Sequence, residues 1–508
     1  MPPRQQQPRA VRQLRSLACH IAIAVVLASC VLCGAQRIPP PQYGEMSNVI
    51  TIDAFGAMAN NSTHAAAVIN GKALYDAMNA ANQSFNASRT VLIPADSRYY
   101  MLPYGTGLGF TDLAYVTLVL DGTILAWTED FSLWPAFNGS TLGINLLEFT
   151  NCHHINLLGN GLVDGQGYWW WWFVIVTGID NRPFLLHSFG SSDIYFVDWT
   201  LRNSPSFHIY LECSSNAYLY NITVHVDVEA QAALLAEHGL LTTGEEGLPK
   251  GIPTFPLNTD GIDISGQNIT VQHCRITNFD DAVCLKPLNG REPLTCTQDV
   301  LFEDIDITFG VGASVGSVSP DPDVACIRNC TFRNITFHTP IKAIYIKPNP
   351  GDDGTGVIDK ITYENVYATN PLWWSIWIST QQEDQPGNGS KTHCNFFYPL
   401  FNTTCNTQPR VPITNLVLRN ITMHGALFSP GVMRCNETNP CTGWLFENIN
   451  ITSATNFPTS QFICSAIVNS SSINTSPSTT DCFESFQISS PTAFEEDQEV
   501  ETDYYSKP

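Results

Sequence analysis

Asn258-Thr259-Asp260-Gly261-Ile262-Asp263 is followed, twenty residues after Asp260, by Asp280-Asp281. Carboxylates held close together are costly unless one of them keeps a proton, and a protonated carboxyl beside an ionised one is what acid/base catalysis needs. Cleavage of a glycosidic bond uses such a set: one acid protonates the leaving oxygen, and ionised carboxylates activate water or attack. Taken singly, each Asp is also a good turn residue that bonds local backbone. As a group at this spacing, Asp260, Asp280 and Asp281 read as the catalytic candidates.

What could bring residues twenty apart together is a repeating coil. From about Leu146 the chain consists of short apolar segments separated by Asn, Asp, Gly and Ser, with strand-like alternation and little helical periodicity. Ile155-Asn-Leu-Leu, Ile194-Tyr-Phe-Val, Ala217-Tyr-Leu-Tyr, Ile269-Thr-Val-Gln, Val300-Leu-Phe-Glu, Leu416-Val-Leu-Arg and Trp444-Leu-Phe-Glu repeat one pattern at a loose period in the twenties. That is the signature of a solenoid, in which each coil buries its apolar face by stacking on its neighbours. A β-sandwich also has regularly spaced short strands. Recurrent Asn-Ile-Thr and Asn-Ile-Asn steps at Asn221, Asn268, Asn334, Asn420 and Asn448 favour the solenoid, because one turn is being reused. The expected fold is all-β: a single-domain right-handed parallel β-helix over residues 49–485. Val49 to Tyr104 reads as an N-terminal cap, with strands at Val49–Ile52 and Val91–Pro94 and a helix near Ala65 to Ala81. A long insertion spans Glu229 to Pro256, its first part, to His238, helical.

Residues 1–35 carry Arg4, Arg9, Arg12 and Arg15, an apolar run from Leu17 to Leu32, and then small residues ending at Ala35. This reads as a signal peptide; the competing reading is an uncleaved anchor, since the run is long for a signal. Residues 36–48 form a linker and 486–508 an acidic tail. The whole chain has 24 Lys+Arg against 46 Asp+Glu, net −22, so cleavage after Ala35 would leave 20 against 46, or −26. Such a charge disfavours nucleic acid and anionic membrane as partners. Asn-x-Ser/Thr sequons, Asn450 among them, agree with an extracellular, secreted protein. In an oxidising compartment the expected disulfides are Cys394 with Cys405, Cys435 with Cys441 and Cys464 with Cys482. Cys284 with Cys296 and Cys326 with Cys330 are weaker pairs. No Cys/His spacing resembles a metal site, and no cofactor is expected.

The ordered motifs resemble the polygalacturonase-like enzymes of glycoside hydrolase family 28. The family's pattern is Asn-Thr-Asp, Asp-Asp, Gly-His-Gly and Arg-Ile-Lys; here stand Asn258-Thr259-Asp260, Asp280-Asp281, Gly310-Val311-Gly312 and Tyr345-Ile346-Lys347. Asp53-Ala-Phe-Gly56-Ala, Asp164-Gly-Gln-Gly167 with the Trp run after it, and Asn203-Ser204-Pro205 extend the likeness over about Val49 to Cys482. The resemblance implies a pectin-lyase-like β-helix, Asp280 as general acid, Asp260 and Asp281 acting on the hydrolytic water with inversion, and a pectic polysaccharide substrate. It places Asn258, Val311, Tyr345 and Lys347 at the substrate. Val311 and Tyr345 depart from the pattern. Losing one cation at Tyr345 implies a sugar without a carboxylate at that subsite, similar to the rhamnogalacturonan-cleaving branch, although that branch has Asp-Glu where this chain has Asp280-Asp281.

Trp373 and Trp377 alternate with Ser375 and would share an outward face, where rings stack on sugars; packing under a loop is the equal alternative. The leading expectation is a secreted, monomeric pectin hydrolase. A non-catalytic carbohydrate-binding β-helix and a β-helical lyase are the competing readings.

Overall fold

The computed structural model describes residues 49–83, 89–104, 109–137, 142–240, 256–289, 296–349, 351, 353–381, 407–428, 430–457 and 459–482. The signal segment and the acidic tail lie outside them.

The chain winds as a right-handed parallel β-helix. The reason is visible in the register of the repeats. Ile155, Ile194, Ala217, Ile269, Val300, Cys330 and Ile361 are successive partners across parallel strands. Leu416 and Trp444 continue the column, each lying one residue before the partners Val417 and Leu445. All are buried in one continuous core, so each coil covers its neighbour's apolar residue rather than burying one alone. Cys330 and Ile361 open two further copies of the pattern, Cys330-Thr-Phe-Arg and Ile361-Thr-Tyr-Glu.

The recurrent Asn has a backbone cause. Asn334, Asn365, Asn420, Asn448 and Asn474 all have φ between 54° and 56°, the left-handed conformation that Asn tolerates better than most residues. Each of the last four donates from Nδ2 to Oδ1 of the Asn one coil earlier, at 2.9–3.0 Å, and Asn334 donates to Asp304 at 2.8 Å. A ladder along the axis therefore fixes every bend in one geometry.

The N-terminal cap is smaller than the sequence suggests. Helix α1, His64–Gln83, buries Ala67, Leu74, Ala77, Met78 and Ala81 in the end of the core. The strands around it already belong to the solenoid: Ile50–Thr51 pairs with Thr90–Ile93, which pairs with Thr117–Leu120. The coil thus begins near Ile50, at the start of the expected 49–485 span, and the strands expected at Val49–Ile52 and Val91–Pro94 are its first rungs rather than part of a separate cap. Two further helices flank the coil, α2 at Tyr168–Thr177 and α3 at Val228–Glu237. Of the Trp run, Trp170 and Trp171 are fully buried, and Trp171 donates to Ser204 O at 3.0 Å.

Disulfides Cys435–Cys441 and Cys464–Cys482 are formed. The weaker pairs are corrected: Cys296 bonds Cys326, and Cys284 and Cys330 are free and buried. Cys296 and Cys326 are register partners on adjacent coils, whereas Cys330 points into the apolar core. Axial stacking, not nearness in sequence, decides the pairing. The expected bond between Cys394 and Cys405 is not among the disulfides of the described residues, because Cys394 and Cys405 both fall outside them. Cys405 stops two residues short of the segment that resumes at Thr407, so its pairing with Cys394 stays an expectation from sequence spacing.

One sheet carries the site. Its strands, in order along the axis, are β1 Leu147–Thr150, β2 Leu186–Phe189, β3 Ile209–Tyr220, β4 Ile262–Gln272, β5 Val283–Leu285, β6 Ala313–Val318, β7 Ile344–Pro348, β8 Ile376–Ser379, β9 Gly431–Arg434 and β10 Ile463–Ser465. Each pairs in parallel with the next. Outward residues align in a column: Glu148, His187, Tyr210, Asp263, Cys284, Ser314, Tyr345, Trp377, Val432 and Ile463.

Candidate active site

Asp260 precedes β4 and Asp281 precedes β5, so the one-coil separation stacks the turns that feed these strands. Gly261 is needed there. Its N–H donates to Asp281 O at 2.9 Å, and a Cβ on it would lie 2.2 Å from Ala282 O, closer than any side chain could sit. Asn278 fastens the two motifs, its Nδ2 lying 3.0, 2.9 and 2.8 Å from the carbonyls of Thr259, Asp280 and Asp281. Gly310, at φ +74°, turns the next coil so that Val311 N donates to Asp280 O at 2.8 Å. A Cβ on Gly310 would meet Asn278 Oδ1 at 2.7 Å.

Three residues that sequence reasoning did not single out complete the scaffold. Buried His208 places Nδ1 3.0 Å from Asp260 O, while its Nε2 accepts from Ser204 N at 3.2 Å. This fixes the Nδ1–H tautomer, and burial lowers its pKa to about 4, keeping it neutral. Arg182 Nη2 donates to Asn258 Oδ1 at 2.8 Å and Nη1 donates to Leu257 O; Asn258, at φ 59°, is thereby held as a turn residue. Ser314 Oγ donates to Asp281 Oδ1 at 2.7 Å. The signal for His208 was present, three residues beyond Asn203-Ser204-Pro205.

Carboxylate oxygens of Asp260, Asp280 and Asp281 lie within 4.8 Å of one another. Asp263 is buried beside them, and two lysines balance the set. Lys347 Nζ is 2.5 Å from Asp281 Oδ2. Lys286 Nζ is 3.5, 3.2 and 3.4 Å from Asp260, Asp263 and Asp281. Such oxygens could ligate a cation, but an ion there would face two ammonium groups already neutralising them.

The same surroundings drive the carboxyls apart in proton affinity. Burial raises Asp260 well above the ordinary range, with Asp263 and Asp280 adding to it against Lys286; its Oδ1 has no hydrogen-bond partner. Burial and Asp281 raise Asp280, opposed by Lys347 and by the N–H groups of Asn258 and Asp281 that it accepts at 2.8 and 2.9 Å. For Asp281 burial is outweighed by Lys347, Lys286 and the Ser314 hydroxyl, and its pKa falls below the usual range. Asp263 rises to about 6 through burial and Asp281, tempered by Lys286. Burial lowers the affinity of Lys286 for its proton, but the facing carboxylates more than reverse this. Asp281 is therefore the carboxyl that gives up its proton most readily, Asp260 and Asp280 keep theirs to higher pH, and Asp280 is the half-buried member of the trio, open to the surface.

The other predicted site residues sit differently. Lys347 is 6% exposed and spent on Asp281. Tyr345, Trp374, Trp377, Val432 and Ile463 form an apolar cluster on the outer sheet, against which Val311, Trp373 and Phe428 pack. Of the two readings of Trp377, packing is the correct one, since its residue exposure is 2%; Trp373 is half-buried. Trp374 joins the same cluster because β8 begins only at Ile376, so strict alternation does not reach it. Nor has the Tyr345 position lost its cation. Buried Lys342 places Nζ 4.0 Å from the Tyr345 ring centroid and 5.2 Å from that of Trp377, and Lys347 lies 5.0 Å from Tyr345 on its own account.

The sequence model of the Glycosyl hydrolases family 28 matches residues 138–473. A probable endo-xylogalacturonan hydrolase A of Aspergillus flavus is 28% identical over 280 residues, 54% of this chain and 60% of that protein. A polygalacturonase of Chamaecyparis obtusa is 25% identical over 377 residues, 72% of this chain and 61% of that protein. The chain thus matches about three fifths of the length of these curated relatives. The crystal structure of endo-xylogalacturonan hydrolase from Aspergillus tubingensis superposes with a TM-score of 0.57 at 18% identity, over 84% of this chain and 99% of that one, a likeness of fold. With a matching family model across most of the solenoid and the carboxylate cluster on its sheet, the chain belongs to the glycosyl hydrolases of family 28.

Proposed function

We propose that the protein is a secreted glycosidase that hydrolyses the backbone of a pectic polysaccharide. The observation that carries this is the trio Asp260, Asp280 and Asp281, within 4.8 Å of one another and pushed in opposite directions in proton affinity, Asp260 and Asp280 up and Asp281 down. Asp280, the member open to the surface, serves as general acid to the leaving oxygen. Asp281 takes the proton of a water on the other side of the bond, and Asp260 beside it helps to orient that water. The general rule assigns carboxylates this close to a double-displacement route. Against a covalent intermediate, both Asp281 oxygens are engaged by Ser314, Lys286 and Lys347, which leaves it a poor nucleophile and favours attack by water with inversion.

Lys286, Lys342 and Lys347 offset the carboxylates of the centre in a chain of net charge −22, so a uronate-containing polymer meets less repulsion there than elsewhere on the chain. Membership of family 28 and the hydrolases among its relatives support the same reading, and secretion fits the N-terminal segment and the disulfides. Reducing-end release should be measured on polygalacturonan, xylogalacturonan and rhamnogalacturonan, with absorbance followed for an unsaturated product. Release without that absorbance is the expected result. Absorbance in step with cleavage would make it a lyase, and binding without cleavage a lectin-like protein.

A further inference from the structure

Asp263 has no part in the hydrolysis described above, yet it is the least accessible carboxyl of the centre, 0% exposed. Neither of its oxygens has a hydrogen-bond partner among the described residues; Lys286 Nζ faces its Oδ2 at 3.2 Å. Its partners in register are Tyr210 on β3 and Cys284 on β5. Burial raises the pKa of both well above the ordinary value, so both are neutral, and the Cys284 thiol donates to Gly316 O at 3.0 Å rather than to Asp263. A buried ion pair is often no more stable than apolar residues of the same volume. The reason for Asp263 therefore lies in what it does to Lys286.

Lys286 stands at the exit of β5. Its N–H donates to Ile264 O at 2.7 Å and its carbonyl accepts from Thr297 Oγ1 at 2.6 Å, so the root of the side chain is pinned twice. From there the ammonium reaches Asp263 at 3.2 Å, Asp281 at 3.4 Å and Asp260 at 3.5 Å, with the Phe207 ring centroid 5.4 Å away. Asp260 and Asp281 come from different coils, and this one ammonium touches both. The charges acting on Asp263 are Asp260 and Asp281 from those turns, Lys286, and Lys347 on β7. Lys347 is held by Asp281, which leaves Lys286 to Asp263.

We propose that Asp263 is a positioning residue of the hydrolytic reaction: out of reach of substrate, it draws the Lys286 ammonium to a point between Asp260 and Asp281, and so holds the carboxyl that takes the proton from water and the carboxyl that orients it at a fixed separation. This rests on the hydrolase reading above. Without Asp263 the ammonium shifts toward Asp281, the stronger acid, and Asp260 loses its tie. A misplacement of about 1 Å in such a pair costs on the order of a hundredfold in rate.

The test follows kcat across pH for the full chain as wild type, Asp263→Asn, Lys286→Met and the double variant, on whichever of polygalacturonan, xylogalacturonan and rhamnogalacturonan wild type cleaves. A role confined to charge shifts the limbs of the profile and leaves its plateau intact, whereas a displaced pair lowers the plateau at every pH. Asp263→Asn is expected to lower the plateau by about tenfold or more, with KM within about threefold of wild type. Because Asp263 acts through Lys286, the double variant should match Lys286→Met rather than multiply the two losses. Lys286→Arg keeps the charge but not its geometry; it should lower the plateau too, and it decides the matter if Asp263→Asn does not fold. A wild-type plateau in folded Asp263→Asn, or in Lys286→Arg where Asp263→Asn fails to fold, overturns the proposal and leaves the hydrolase reading standing, as do losses that multiply in the double variant. A wild type inactive on all three polymers overturns the hydrolase reading and the proposal with it.

Discussion

Replacing Lys347 with Met removes a charge while nearly keeping its shape. Lys347 Nζ is 2.5 Å from Asp281 Oδ2 and the residue is 6% exposed. With an effective dielectric of about 20, an ion pair at this distance is worth at most ~7 kcal/mol before desolvation. Breaking a buried pair by deleting one partner typically costs about 3–5 kcal/mol. Lys286 at 3.4 Å and Ser314 at 2.7 Å still hold Asp281, so the lower end, about 3 kcal/mol, is expected for Lys347→Met. Two readouts follow from this figure. Unfolding free energy at neutral pH should fall by roughly that amount. The sign for activity is set by Asp281, whose folded pKa is depressed by Lys347: the ionised carboxylate works above that pKa, so removing the lysine moves the acidic limb of kcat/KM upward. About 3 kcal/mol corresponds to about two pKa units, so at acidic pH, where the Asp281 carboxylate limits the rate, the variant should fall about a hundredfold below wild type. A variant with an unmoved acidic limb and unchanged stability would refute the assignment of Lys347 to Asp281.

Asp280→Asn should lower kcat by several orders of magnitude with a melting temperature close to wild type, because the general acid acts only in the transition state. Stability should decline as pH rises from about 6.5 to 9: His187 has a folded pKa raised to about 9, so its contribution is complete below the unfolded value and lost through the folded one, about 3 kcal/mol in all. Equilibrium unfolding across that range, with His187→Gln losing the decline, checks it. Peptide mapping should recover Cys296 linked to Cys326, with Cys284 and Cys330 alkylatable only after unfolding. Tyr345→Arg should destabilise by about 1–3 kcal/mol, since it buries a guanidinium beside Lys342; a melting temperature equal to wild type would contradict this.

Much of this was legible in the sequence. The repeats beginning at Ile155, Ile194, Ala217, Ile269 and Val300 prove to be aligned residue for residue, because a solenoid must put an apolar residue at the same point of every coil. The one-coil spacing of Asp260 and Asp280 was readable for the same reason. What escaped was whatever depends on contacts between coils of unequal length. Lys342 reaches the Tyr345 ring from its own turn, and no pattern in Pro340-Ile-Lys-Ala announces it. His187 lies between Glu148 and Glu212, 39 and 25 residues away, an alignment set by loop lengths. Cys296 was paired with the wrong partner for the same reason: Cys326 lies 30 residues on but directly opposite it on the next coil. Trp373 and Trp377 share the outer face as alternation expects, while Trp374 joins them there because the strand starts only at Ile376.

The central claim is that Asp260, Asp280 and Asp281 cut pectic backbone by acid/base hydrolysis. Its most direct test is reducing-end release from polygalacturonan, xylogalacturonan and rhamnogalacturonan by wild type beside the three single Asp→Asn variants, each confirmed folded by its melting curve. Release by wild type on at least one polymer, with a loss of several orders of magnitude in all three variants, is the predicted result. Near-normal release by any folded variant, above all Asp280→Asn, would contradict the account.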